Sequence, residues 1–111
     1  MRKVDLIPYD IPLYERGVIV GKTPYKVRES LANLAFVPAD DCKGRELLKR
    51  EVLAVAIETA GDSILLEEAD WQKLLRAIDL IPKGRNEVEL VRRVLDAPEV
   101  KVGEKANGQT V

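Results

Sequence analysis

The chain has 111 residues, of which 46% are hydrophobic and 33% charged, a composition typical of one folded domain. The 18 basic and 19 acidic residues give a formal net charge of −1, which argues against the basic surface that nucleic-acid binding requires. Histidine is absent and Cys42 is the single cysteine, so an intrachain disulfide, a Cys/His zinc site and the commonest catalytic base are all excluded.

The hydropathy pattern predicts a protein that does not enter a membrane. The longest apolar run is a few residues, far below the roughly 20 that span a bilayer. The N-terminal segment has early charges and two prolines, and it lacks the continuous apolar region of a signal peptide. We therefore expect a soluble protein with a cytoplasmic location.

Residues 1–22 are predicted to be extended. Apolar and β-branched runs in Lys3–Ile7 and Arg16–Lys22 predict two strands that pair as a hairpin, joined by a proline-containing loop. The alternative is that residues 1–16 form an extended arm that packs on another subunit, since terminal segments need tying down to be ordered.

Two helices are predicted next. Thr23 suits an N-cap and Pro24 suits the first helical position, which predicts a helix from Pro24 to about Phe36. A second helix is predicted over 45–60 from apolar residues at helical spacing. The stripe expected to face the core consists of Leu48, Val52, Val55 and Ala56, widened by Leu47, Leu53 and Ile57.

The second half of the chain predicts a short strand at 63–66 and helices at 67–81 and 86–96, the last beginning with a capping box of Asn86 and Glu89. A last short strand is expected at 99–102. The fold class is therefore α+β, with about four short helices and a small antiparallel sheet or hairpin. The domain is predicted to span 1–102, followed by a flexible tail over 103–111.

Aromatic residues and prolines provide the candidate protein interface. Two tyrosines lie in the proline-interrupted N-terminal segment, where a small domain has little core to cover them. The single tryptophan either anchors a partner or, as its helical spacing favours, lies in the core. The candidate interface residues are Pro8, Tyr9, Pro12, Tyr14 and Trp71.

A second hypothesis is a DNA-binding regulator that uses helices 67–81 and 86–96 as a helix-turn-helix. Its basic candidates are Lys83, Arg85, Arg92 and Arg93. The connection between the helices is longer than the usual three or four residues, and acidic residues in the second helix would repel phosphates. A solvated helical face is the better interpretation, and nucleic acid is not the expected partner.

No small-molecule site is predicted. The glycines at 17 and 21, followed by Lys22 and Thr23, have three residues between them where a phosphate loop needs four. An enzyme using carboxylates would need Asp62, Glu67 or Asp70 to converge in a cleft. We expect no cofactor, no metal and no catalytic residue.

The run from Ser63 to Ala77, in which a short apolar strand leads through an acidic step into an amphipathic helix, resembles a segment of small bacteriophage and prophage proteins. The likeness extends loosely to Lys43–Leu48 and covers about a third of the chain. It implies a virion, tail-assembly or accessory protein that acts through protein–protein contacts, and it carries over no catalytic residue. The leading hypothesis is a non-enzymatic interaction module that self-assembles as a homo-oligomer or binds another protein.

Overall fold

The computed structural model describes residues 1–101, which contain four α-helices and two two-stranded antiparallel sheets. About 50% of the chain is helix and 24% strand, so the predicted α+β class is confirmed. The elements in chain order are β1 (Arg2–Asp5), β2 (Tyr9–Glu15), β3 (Val18–Tyr25), α1 (Val27–Leu34), a 3₁₀ turn (Ala39–Asp41), α2 (Gly44–Thr59), β4 (Ser63–Leu66), α3 (Glu68–Leu80), a second 3₁₀ turn (Arg85–Glu87) and α4 (Val88–Leu95).

The first sheet joins the N-terminal strand to a strand from the second half of the chain. Strand β1 lies antiparallel to β4, with Val4 opposite Ile64, and both side chains are buried. On its other side β1 meets the end of the described chain, where Arg2 bridges Glu99 and the backbone N–H of Lys3 donates to the carbonyl of Pro98 (3.0 Å). The strand predicted at 99–102 is thus a single bridge in this structure, and Val102 lies outside the described residues together with the predicted tail over 103–111.

The predicted hairpin of Lys3–Ile7 with Arg16–Lys22 is wrong. Strand β3 pairs with β2 through a two-residue turn at Arg16 and Gly17, whose φ angles are 54° and 81°. Two successive positive φ angles match the right-handed twist of the flanking strands, and glycine adopts one of them without strain. The tight turn places β2 directly beside β3, which leaves β1 to pair with β4.

The predicted start of the first helix at Thr23 and Pro24 is also wrong, since both residues belong to β3 and α1 begins at Val27. Pro24 lies opposite Asp10, and Pro12 lies opposite Lys22 in the next pair of the same kind. Proline has no N–H, so both pairs must be the type that exchanges no ladder hydrogen bonds. The nitrogen of each proline consequently faces the outer edge of its strand.

Two arginines connect helices α1 and α2, and each donates hydrogen bonds to carbonyl groups at the C-terminal end of the other helix. Arg28 in α1 donates to the carbonyls of Ile57, Ala60 and Gly61 at the end of α2. Arg50 in α2 is 5% exposed and donates to the carbonyls that end α1, those of Ala35 (3.0 Å) and Val37 (3.1 Å). These donors satisfy carbonyl groups that helix ends leave unpaired.

The central stripe of the predicted inward face of α2 is wrong, because Leu48, Val52, Val55 and Ala56 are exposed, as is Leu47. Leu53 and Ile57, which widened the predicted stripe, are confirmed as core residues, and the other buried residues of the helix are Arg50 and Ala54. Arg50 explains the reversal, because its charge makes the true inner face look polar in sequence. A hydrogen bond from Arg50 Nε to Glu46 Oε2 (2.6 Å) accommodates that charge and, with Lys73, lowers the pKa of Glu46.

The remaining helices complete the core. Strand β4 and helix α3 are confirmed within a residue of their predicted bounds, and α4 begins at Val88 instead of residue 86. The backbone N–H of Gly84 donates to Glu87 Oε1 (2.8 Å) and so caps the second 3₁₀ turn, whereas α4 itself has no side-chain cap and the predicted box of Asn86 and Glu89 does not form. The largest fully buried core side chains are Leu6, Leu31, Ile57, Leu74, Leu90, Val4, Val27 and Val94. Within residues 1–101, no helix is long and apolar enough to cross a membrane.

Candidate protein interaction surface

The distal half of the β2–β3 hairpin is an exposed apolar ribbon. Its five large apolar side chains are between 45% and 62% exposed, and no other element of the described chain covers them. A two-stranded ribbon has only marginal stability in water without a hydrophobic surface to pack on. Apolar side chains concentrated on such a ribbon are therefore typical of a surface that a partner covers. The ribbon consists of Leu13, Tyr14, Val18, Ile19 and Val20.

A partner would contact the faces of the hairpin more readily than its edges. Pro12 and Pro24 each remove one outward N–H, from the outer edges of β2 and β3 respectively. An added strand would find an interrupted set of donors on either edge. The faces carry side chains in cross-strand pairs, and Tyr14 lies opposite Ile19 beyond a bulge after Leu13. Specificity would therefore come from side-chain packing.

The base of the hairpin is fixed to the domain by Tyr9. Its ring stacks on Tyr25, with centroids 4.9 Å apart and an angle of 19° between planes, and its hydroxyl donates to the carbonyl of Asn86. The guanidinium of Arg93 lies 5.2 Å from the ring centroid. Tyr9, a predicted interface residue, thus holds the hairpin against α4. Only the ribbon, on the distal half of the hairpin, remains available to a partner.

We predict that Tyr9 makes folding stability sensitive to alkaline pH. Burial raises the pKa of Tyr9 to about 12 from 10.0, because an ionised phenolate would lose its hydration. Below pH 10 the phenol is neutral in both the folded and the unfolded protein, so the free energy of unfolding keeps its full value. As the pH rises from 10 toward 12, the unfolded chain loses this proton first, and the free energy of unfolding declines. Urea unfolding of wild type and Tyr9→Phe between pH 8 and 11 checks this. The variant is expected to lose about 1 kcal/mol at pH 8 and to show a weaker decline above pH 10. Parallel declines for the two proteins would contradict the assignment.

Two of the predicted interface residues, Pro12 and Tyr14, line one groove, while Pro8 lines another depression beside Pro24 and Tyr25. Tyr14 is exposed near the hairpin tip, Pro12 is half-buried in β2, and Pro8 is exposed in the connection between β1 and β2. Pro12 and Tyr14 border a groove of about 290 Å³ between β2 and the start of α4, whose opposite wall includes Arg85 and Arg92. The groove also contains Asp10 and Glu89, so its charges are mixed.

Trp71 is a core residue. It is 7% exposed, and its indole Nε1–H donates to the carbonyl of Val94 (2.8 Å). The guanidinium of Arg2 lies 3.9 Å from the ring centroid on the outer side. The core position that the helical spacing of its apolar neighbours favours is therefore the one observed, and the ring is too buried to contact a partner.

The basic candidates do not form one continuous surface. Arg93 has a side chain 13% exposed and bonds to Glu89 Oε2 (3.0 Å) and to the carbonyl of Ile7, so it is a structural residue. Arg92 pairs with Glu89 Oε1 (3.1 Å). Lys83 lines a different depression, beside Asn33 and Ile81. This arrangement offers phosphates few unpaired charges.

The small-molecule candidates find no supporting geometry in the described chain. Gly21, Lys22 and Thr23 lie in the ladder of β3, so their backbone cannot curl around a phosphate. Cys42 is half-buried beside the Pro38 carbonyl (3.5 Å). Among residues 1–101, potential metal-binding side chains form no group of three or more, and Asp62, Glu67 and Asp70 do not converge on a cleft.

A second exposed apolar surface lies on α2. Leu47, Leu48, Val52 and Val55 are between 42% and 69% exposed, on the side of the helix that faces away from the core. In the sequence this stripe is visible, but it is interpreted as core. The ribbon residues at 18–20 are likewise visible as a β-branched run, and nothing in that run indicates that its strand lacks a second layer.

Comparisons of the chain with protein-family models, with curated proteins and with solved structures find no match. The geometry described above is therefore the basis on which a function is proposed.

Proposed function

We propose that this protein is a non-enzymatic interaction module, a subunit of a homo-oligomeric assembly whose β2–β3 ribbon packs on a neighbouring subunit. The observation that carries the proposal is the cluster of five exposed apolar side chains on a ribbon anchored only at its base. Taking such a side chain from full exposure to full burial contributes about 1.5–3 kcal/mol. The ribbon side chains are about half exposed, so covering one of them contributes roughly half of that, and covering several together supplies enough free energy for a specific contact.

A structural or assembly role in a bacteriophage-type particle is the specific form of this proposal. Its support is the resemblance of residues 63–77 to small phage proteins, together with the ribbon. A hairpin with an anchored base and an exposed apolar distal half is suited to contact with a neighbouring subunit. The host-cell cytoplasm and the virion are the locations that fit this role.

The ribbon is tested by the double substitution Tyr14→Thr/Ile19→Thr. Threonine keeps the strand propensity but removes most of the apolar area of one cross-strand pair. We expect the oligomer to dissociate at least about tenfold more readily, seen by light scattering over a concentration series. The free energy of unfolding should change by less than about 0.5 kcal/mol per site, since neither side chain contacts the core.

The matched control is Leu80→Thr, at a residue of α3 that is 50% exposed and distant in sequence from the ribbon. It should leave the oligomer mass unchanged. A wild-type protein that is monomeric throughout the series, or a double variant with the wild-type mass, would contradict the proposal. Deleting residues 1–16 is not a usable test, because it removes β1 and with it the buried residues Val4 and Leu6.

A further inference from the structure

Helix α2 is apolar on two opposite sides. One side, with Leu53 and Ile57, packs in the core of its own chain. At 3.6 residues per turn, the side directly opposite carries Leu48, Val52 and Val55, followed by Thr59. Their spacing of 4, 3 and 4 residues is that of a coiled-coil seam. An apolar stripe on a helix is normally buried, so the outer side of α2 lacks a partner within residues 1–101.

The charges beside the outer stripe are segregated by sign. Arg45 and Lys49 lie on one flank, and Glu51 and Glu58 lie on the other. All four are exposed, and among residues 1–101 none of them is part of an ion pair. The stripe therefore has a basic border and an acidic border.

We propose that the outer stripe of α2 is the contact between two copies of this chain, packed with their α2 helices parallel about a two-fold axis. A two-fold interface places the same stripe on both sides, which suits a surface that is uniformly apolar. This inference deepens the proposed assembly role by naming a second copy as the partner of a second surface, and it rests on that role.

The charged flanks of the stripe determine whether the two α2 helices pack parallel or antiparallel. In a parallel pair the basic flank of each helix faces the acidic flank of the other, whereas in an antiparallel pair like flanks would meet. Exposed ion pairs contribute only about 0.2–1 kcal/mol each, so the apolar seam supplies the affinity. The stripe from Leu48 to Thr59 rises by about 16 Å along α2, which limits the seam to about three turns of contact. The pair should accordingly be reversible and should weaken with salt.

Disulfide cross-linking tests the direction. In a Cys42→Ser background, Leu48→Cys and Thr59→Cys are made separately, because each residue meets its own copy across a parallel seam. Both variants should form linked dimers at least about tenfold faster than Leu95→Cys, a control on α4 that is 51% exposed. Rates no faster than the control would overturn the inference. Linking that occurs only in the double variant Leu48→Cys/Thr59→Cys would show that the helices pack antiparallel. That result would overturn the inference as well.

A second measurement tests the seam itself. Val52→Glu would bury an unpaired charge at the centre of the stripe and should weaken the dimer about hundredfold in light scattering. Leu80→Glu is the matched control and should have no effect. Both experiments are repeated with the ribbon substitutions Tyr14→Thr/Ile19→Thr present. Cross-linking that persists when the ribbon is substituted supports the α2 contact, even if the ribbon proposal fails. Loss of the dimer when Val52→Glu is the only substitution shows that the α2 seam holds the two copies together. An unchanged mass in Val52→Glu with the ribbon disabled would overturn the α2 contact.

Discussion

Arg50→Met is expected to lower the free energy of unfolding by about 2–4 kcal/mol. Methionine keeps much of the apolar stem but leaves the carbonyls of Ala35 and Val37 without their donor, while Glu46 keeps its ion pair with Lys73. The loss is large because each buried carbonyl left without a partner costs about 1–3 kcal/mol. Urea unfolding followed by tryptophan fluorescence measures the change.

Two controls separate the network from a general effect of charge. Arg45→Met, on the exposed side of the same helix, should change stability by less than about 0.5 kcal/mol. Arg50→Lys should recover only part of the loss, since a single ammonium cannot reproduce the fork that a guanidinium presents to three acceptors. Equal stabilities for Arg50→Met and Arg45→Met would show that the capping contacts contribute little.

Trp71→Ala is expected to cost about 3–5 kcal/mol, the usual result of truncating a large buried aromatic side chain. The variant loses the packing of the indole, its hydrogen bond to the carbonyl of Val94 and the ring beneath the guanidinium of Arg2. Trp71→Phe keeps most of the apolar surface and should cost about 1–2 kcal/mol. Because this chain has one tryptophan, far-ultraviolet circular dichroism is the appropriate probe.

The same variants decide between the two sequence-based interpretations of Trp71. A core residue affects the stability of the monomer, so the loss should appear at concentrations where no oligomer forms. A partner anchor would instead leave monomer stability intact and weaken association alone. A Trp71→Ala protein that unfolds at the wild-type urea concentration would reject the core placement.

Much of the helical structure could be predicted from local patterns. The periodicity of α2 and α3 defines their ends within about a residue, because an amphipathic stripe and flanking glycine or proline are short-range signals. The strand pairing could not be predicted so well. The turn at Arg16 and Gly17 lacks the usual asparagine or aspartate, and the pairing of β1 with β4 joins residues some sixty positions apart.

The candidate site was predictable only in part, since composition does not distinguish a buried aromatic side chain from one that awaits a partner. Tyr9 and Tyr14 have similar sequence surroundings, yet the carbonyl of Asn86, remote in sequence, holds one of them in the domain. In α2 a single residue misleads, because Arg50 lies on the inner face, where a charge is not expected. Its partners at the end of α1 become apparent only when the two helices are packed.

The prolines in the hairpin bear on how many copies an assembly can contain. A ribbon that recruits neighbours by extending its hydrogen-bond ladder has no reason to stop, and fibres are the usual outcome. With Pro12 and Pro24 facing outward, the ladder ends at two strands, and growth depends on side chains that must fit a particular surface. An apolar ribbon of this kind can therefore remain exposed without offering the uninterrupted edge on which open-ended strand addition depends.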